Sequence, residues 1–158
     1  MERVRSRADF VMVSVHWGLE GEGRSRAGFV QLAHQLVDYG VDVILGHHPH
    51  IPGSIEIYKS RPIFYSLGNC IFGHGHRYWI DNMIVKLTLD GDHVRTTEII
   101  PIGSRGIEQY QPRMLSGERA EKLIEVVRAI SEPFRTTITL SDGKGVINLQ
   151  SSSEVETA

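Results

Sequence analysis

Apolar residues fall in two rhythms along this chain. "DFVMVSV" (9–15) is nearly continuous and rich in valine, which predicts a strand buried on both faces. "HWGLEGEGRSR" (16–26) is a glycine-bearing loop. In "AGFVQLAHQLVDYG" (27–40) the spacing changes. Phe29, Leu32, Ala33, Leu36 and Val37 recur at helical intervals, and Gly40 suits the C-terminal stop. "VDVILG" (41–46) is a second buried strand. Strand, helix and strand over this length form a βαβ unit, so the strands should be parallel neighbours joined by a right-handed crossover.

Further on the pattern shifts to hairpins. "SIEIYKS" (54–60) alternates, Arg61-Pro62 reads as a turn, and "IFYSLGN" (63–69) as its partner strand. "NMIVKLTLD" (82–90), Gly91-Asp92 and "HVRTTEIIPI" (93–102) make a clearer hairpin. "GERAEKLIEVVRAIS" (117–131) is an amphipathic helix whose stripe is Leu123, Val126, Val127 and Ile130. The closing "SSSEVETA" has too little apolar surface to fold and is expected to be disordered.

Composition narrows the partners. The 158 residues suffice for one domain with a core, and 41% hydrophobic with 23% charged residues is ordinary for a globular protein. A net charge of −2 without a basic stripe gives no support for a nucleic-acid partner. The single cysteine, Cys70, cannot form an internal disulfide. Arg3, Arg5 and Arg7 precede an apolar run too short for a signal-peptide core, and no stretch approaches the roughly 20 apolar residues of a membrane span. As written, the chain reads as soluble.

Both predicted βαβ strands end on histidine. His16 follows the first, and His47, His48 and His50 follow the second in "LGHHPHI" (45–51). In open α/β sheets ligands bind beyond the carboxyl ends of the strands. Neighbouring strands lie about 5 Å apart, so these imidazoles should converge. Neutral imidazole ligates Zn, Mn, Fe and Ni. A single histidine after a strand is usually a loop or core residue, whereas four at adjacent strand ends point to a metal site. His34, on the helix, reads as solvent-facing or capping, and His93 as structural. "GHGH" (73–76) offers His74 and His76 as second candidates on a glycine loop that would hold ligands poorly.

"HWGLE", "LAHQLVDYGVDVILGHHPHI" and "PIFYSLGNCIF" together resemble the bacterial capsule-synthesis or poly-gamma-glutamate biosynthesis family of the CapA type, which looks like a branch of the calcineurin-like metallophosphoesterases. The resemblance covers roughly residues 9–102. It implies an α/β fold, part of a metallophosphoesterase sandwich: a βαβ unit, then β-hairpins and a C-terminal helix. It also implies a dinuclear metal centre at the strand ends. His16, His48 and His50 would be metal ligands and His47 an adjacent catalytic group. Glu20 would be a second catalytic candidate, a carboxylate behind the ligands or in contact with substrate, Asn69 of "SLGN" a substrate-facing residue, and Cys70 a packing residue. Arg24 and Arg26 are candidates for meeting an anionic polymer or phosphoester substrate.

The family also has a strand ending in Gly-Asp, an Asn-x-Glu segment and an Asn-Asn-His segment, and none of these precedes His16 here. The expectation is therefore the C-terminal half of such a domain over 1–131, with an extension over 132–158. Two divalent ions about 3.5 Å apart need a bridging carboxylate to offset their repulsion. Asp9 and Asp42 lie at strand beginnings, the wrong end, which leaves Glu20. At most one divalent ion (Mn, Zn or Fe) is expected, and an exposed sheet edge should favour self-association. The resemblance places the parent family at the cell envelope. The competing reading is a non-catalytic binding or assembly module.

Overall fold

The computed structural model describes residues 2–72 and 80–149. His74, His76 and the closing "SSSEVETA" lie outside them. A single helical turn, α1 (Glu2–Arg5), precedes the βαβ unit of β1 (Met12–His16), α2 (Ala27–Asp38) and β2 (Val43–His47). The two strands pair in parallel, from Met12 opposite Val43 to His16 opposite His47. At the start of both strands the buried Asp42 carboxylate accepts from Arg5 at 2.8 Å and from the Val11 amide at 2.7 Å, and it pairs with Arg61 at 3.0 Å. That clasp sits at the opposite end of the sheet from the histidines.

β3 (Ile55–Tyr58) and β4 (Arg61–Phe64) form the expected hairpin, with a corrected turn. Lys59 and Ser60 make the reversal, both at positive φ, while Arg61 and Pro62 pair with Tyr58 and Ile57. The paired positive-φ residues match the right-handed twist of the flanking strands. β4 then lies parallel to β2, giving a four-stranded sheet ordered β1-β2-β4-β3.

The order corrects the expectation for β1. It is an edge strand, and its residues alternate between exposed and half-buried. Val13 and Val15 pack toward α2, whereas Met12 on the other face is 47% exposed. The reason is coverage. The core between the two sheets draws on Val43, Ile55 and Phe64 of the other three strands and on no residue of β1.

The second sheet is antiparallel: β5 (Asn82–Asp90), β6 (His93–Gly103), β9 (Lys144–Asn148) and β8 (Thr139–Ser141) in that order, with β7 (Arg113–Met114) also on β6. β8 and β9 fall in the segment expected as an extension, and β9 hydrogen-bonds along Thr96–Ile99 of β6. α3 (Gly117–Ser131) buries Ala120, Leu123, Ile124 and Val127 against both sheets. Val126 is 49% exposed, so the buried stripe is rotated from the expected one; on α2, Leu32 is likewise exposed. A second core seals α2 to the opposite face of the first sheet through Ala33, Val37, Ile44 and Ile63.

His34 is not solvent-facing. Its ring stacks on Tyr58 with centroids 3.8 Å apart, and its Nε2 lies 2.7 Å from the buried carboxylate of Glu56, which also accepts from the Tyr65 hydroxyl at 2.6 Å. Burial and the adjacent carboxylate push the Tyr65 hydroxyl well above the ordinary tyrosine range. His93 begins β6 and pairs with Asp92 at 2.6 Å.

Candidate functional site

β1 and β2 end together because His16 and His47 are register partners, and partners in a parallel pair share a face. That face is the one turned toward the second sheet, since Val43 and Leu45 of the same phase join the inter-sheet core. After His47 the chain does not continue as a strand. His48 (φ 99°) and His50 (φ 63°) both adopt the left-handed region around the buried Pro49. Such backbone costs of order 1–3 kcal/mol per residue and persists only where the surroundings fix it. Here the Trp17 amide donates to the His47 carbonyl at 3.0 Å, and the Gly21 amide to the Pro49 carbonyl at 2.9 Å.

The sharp turn swings His48 back over β1, so that its Nδ1 lies 3.0 Å from Nε2 of His16, with ring centroids 4.8 Å apart. His50, with its ring 6.0 Å from that of His48, has a different partner. Its Nδ1 lies 2.9 Å from Oδ1 of Asn69, and its ring rests 5.1 Å from that of Phe72. His47 is half-buried. Burial, and secondarily the neighbouring His16, push its pKa below the ordinary histidine value, so it is neutral at pH 7.

These residues line a cleft of about 420 Å³ between the two sheets. Its lining combines His16, His47, His48, His50 and Asn69 with apolar residues of both sheets, Leu45 of β2 and Met83 and Val85 of β5 among them. Cys70, expected as a packing residue, is exposed and lines the cleft, because β4 ends at Phe64 and "SLGN" runs on as a turn.

Glu20, Arg24 and Arg26 do not line this cleft. The loop after β1 runs along the 49–54 segment before entering α2: the Gly21 amide donates to the Pro49 carbonyl and the Ser54 amide to the Gly23 carbonyl. Arg24 and Arg26 line a separate shallow pocket with Trp17, Pro49 and Tyr65. Arg26 is held by Glu22 at 2.6 Å, and the two groups shift each other's pKa further into the charged range. Among the described residues, no aspartate or glutamate lines the histidine cleft. Among the described residues, no group of three or more His, Cys, Asp or Glu side chains is disposed to hold a metal ion.

The supporting scaffold was less legible. Trp17 is buried, its Nε1 donates to the Tyr65 carbonyl at 3.0 Å, and its ring stacks on Tyr65. Gly46 lies directly beneath them; a Cβ there would stand 2.1 Å from the Tyr65 carbonyl oxygen. Ser66 donates to the Ile51 carbonyl at 2.7 Å, and Ser104 to the Asn69 carbonyl at 3.3 Å. The "HWG" and "SLGN" strings were the available signals, but neither reveals its partner.

Residues 1–74, which hold the whole first sheet and the cleft histidines, match the family model for bacterial capsule synthesis protein PGA_cap. The chain belongs to the CapA-type capsule-synthesis family. The capsule biosynthesis protein CapA of Bacillus anthracis is 37% identical over 109 residues, covering 69% of this chain and 26% of that protein. The PGA biosynthesis protein CapA of Bacillus subtilis is 29% identical over 156 residues, covering 99% of this chain and 40% of that protein. A probable polyglutamine synthesis accessory protein of Mycobacterium tuberculosis is 41% identical over 63 residues, covering 40% of this chain and 17% of its own length. The chain thus spans between about a quarter and two fifths of the length of the two Bacillus relatives. Among the described residues of this CapA-type chain, no helix is long and apolar enough to cross a membrane.

Proposed function

We propose that this chain serves capsule or poly-gamma-glutamate synthesis through its histidine cleft, which holds one divalent ion (Mn, Zn or Fe) and receives an anionic polymer or phosphoester. The observation that carries this reading is the 3.0 Å approach of His48 Nδ1 to His16 Nε2 at the carboxyl ends of two parallel strands. Two nitrogen ligands on one tetrahedral zinc, each at 2.0–2.1 Å, stand ~3.3 Å apart, so this pair fits a shared ion after a small separation. His50, from the same loop, is the third candidate ligand. When bound, such an ion would supply Lewis acidity toward a phosphoryl or carboxyl oxygen. His47 lines the same cleft and would accept or give a proton beside the ion. We expect no second ion, because among the described residues no carboxylate lines the cleft to offset its charge.

The test is elemental analysis of the purified chain beside a His48→Ala/His50→Ala variant. Stoichiometric metal that vanishes in the variant is the expected result, and two tightly bound ions, or none in either, would overturn it. That no three-ligand group is ready among the described residues supports a second reading, a non-catalytic binding or assembly module. Chelator-sensitive hydrolysis of a phosphoester or polyglutamate by the isolated chain would rule that out.

A further inference from the structure

Asn69 was expected to face substrate, yet its side-chain oxygen lies 2.9 Å from Nδ1 of His50. An amide oxygen only accepts, so the ring nitrogen facing it must carry the proton. The geometry points to Asn69 as the positioning residue for His50: it fixes the Nδ1–H tautomer and thereby puts the ring's lone pair on Nε2.

Asn69 is itself held from two sides. Ser104 donates to its carbonyl at 3.3 Å. Gly68 beside it sits at φ 75° with its amide donating to the Ser66 hydroxyl at 3.2 Å, and the Ser66 hydroxyl is in turn bound to Ile51. Ile51 follows His50 directly, so one hydroxyl ties the histidine loop to the turn that carries Asn69. The two histidines of "HPH" consequently turn the same nitrogen to different partners. His48 turns Nδ1 to His16, and His50 turns Nδ1 to Asn69. A histidine that ligates metal generally donates its other ring N–H to such an acceptor, which sets both tautomer and ring orientation. The consequence for an ion rests on the metal reading above, and the tautomer does not.

Long-range ¹H–¹⁵N spectra of the histidine rings test this in the metal-free full chain near pH 8, with His50 assigned through His50→Gln. The expected result is Nδ1–H at His50, a shift toward the Nε2–H form in Asn69→Ala, and return to Nδ1–H in Asn69→Asp. Nε2–H in the parent chain, or a tautomer unmoved in Asn69→Ala, would overturn the assignment. A parallel zinc titration should show affinity about 10–100-fold weaker in Asn69→Ala and restored in Asn69→Asp. If the parent chain takes no zinc while the tautomer responds as stated, the metal reading fails and the positioning role stands.

Discussion

The side-chain oxygen of Asn82 occupies the space that a Cβ on residue 68 would need: the two positions are 1.8 Å apart. Asn82 is fully buried at the start of β5, so this fit locks the second sheet to the turn that carries Asn69. Gly68→Ala would meet both the clash and an unfavourable positive φ. Overpacking costs typically ~1–3 kcal/mol, and a left-handed backbone ~1–2 kcal/mol more. Urea denaturation should show the sum, and Asn82→Ala should recover part of it in the double variant. Strict additivity of the two substitutions would refute the interlock.

His16 and Glu20 separate the strand-end reading from the carboxylate expected beside it. His16→Ala should weaken zinc binding at least 10-fold, because it removes half of the nitrogen pair. Glu20→Gln should leave it unchanged, since Glu20 is not among the described residues that line the cleft. Isothermal titration decides between them, and a loss in Glu20→Gln would place that carboxylate on the ion.

Glu98 sits between Lys86 at 2.7 Å and Lys144 at 2.9 Å, bridging β5, β6 and β9. Hydrogen bonds from the two ammonium groups pull its pKa from 4.5 to about 2. A depressed carboxylate stabilises the folded state above its unfolded pKa, and the contribution fades as pH falls from about 4.5 toward 2. Glu98→Gln should flatten the acid limb of the stability profile in that window alone. An unchanged acid limb would show that the bridge adds nothing.

β1 pairs on one side only and carries no lysine, proline or bulge of the kind that guards an edge. We expect concentration-dependent self-association by sedimentation, reduced by Met12→Lys, whose parent side chain is 47% exposed. A monomer at every concentration would remove the edge from consideration.

Local pattern was enough for much of this. The valine runs, the helical spacing in 27–40 and the Gly91-Asp92 turn fixed the βαβ unit and the long hairpin, because period and turn chemistry depend on near neighbours. Histidines directly after two strands were also enough to place them at one rim. The sequence could not say that β1 would be an edge, that β8 and β9 would join the second sheet, or that the His34 ring would be held by Glu56, since each depends on which distant segment arrives alongside.

The site divides in the same way. The imidazoles at positions 16, 47, 48 and 50 are a property of the sequence. Their pairing belongs to the tertiary structure, which bends His48 and His50 into left-handed backbone and thereby gives one to His16 and the other to Asn69. It also carries Arg24 and Arg26 with the loop after β1 into a separate pocket. A strand's alternation sets which face a side chain takes, but only the partners packed around a turn decide which way that turn points.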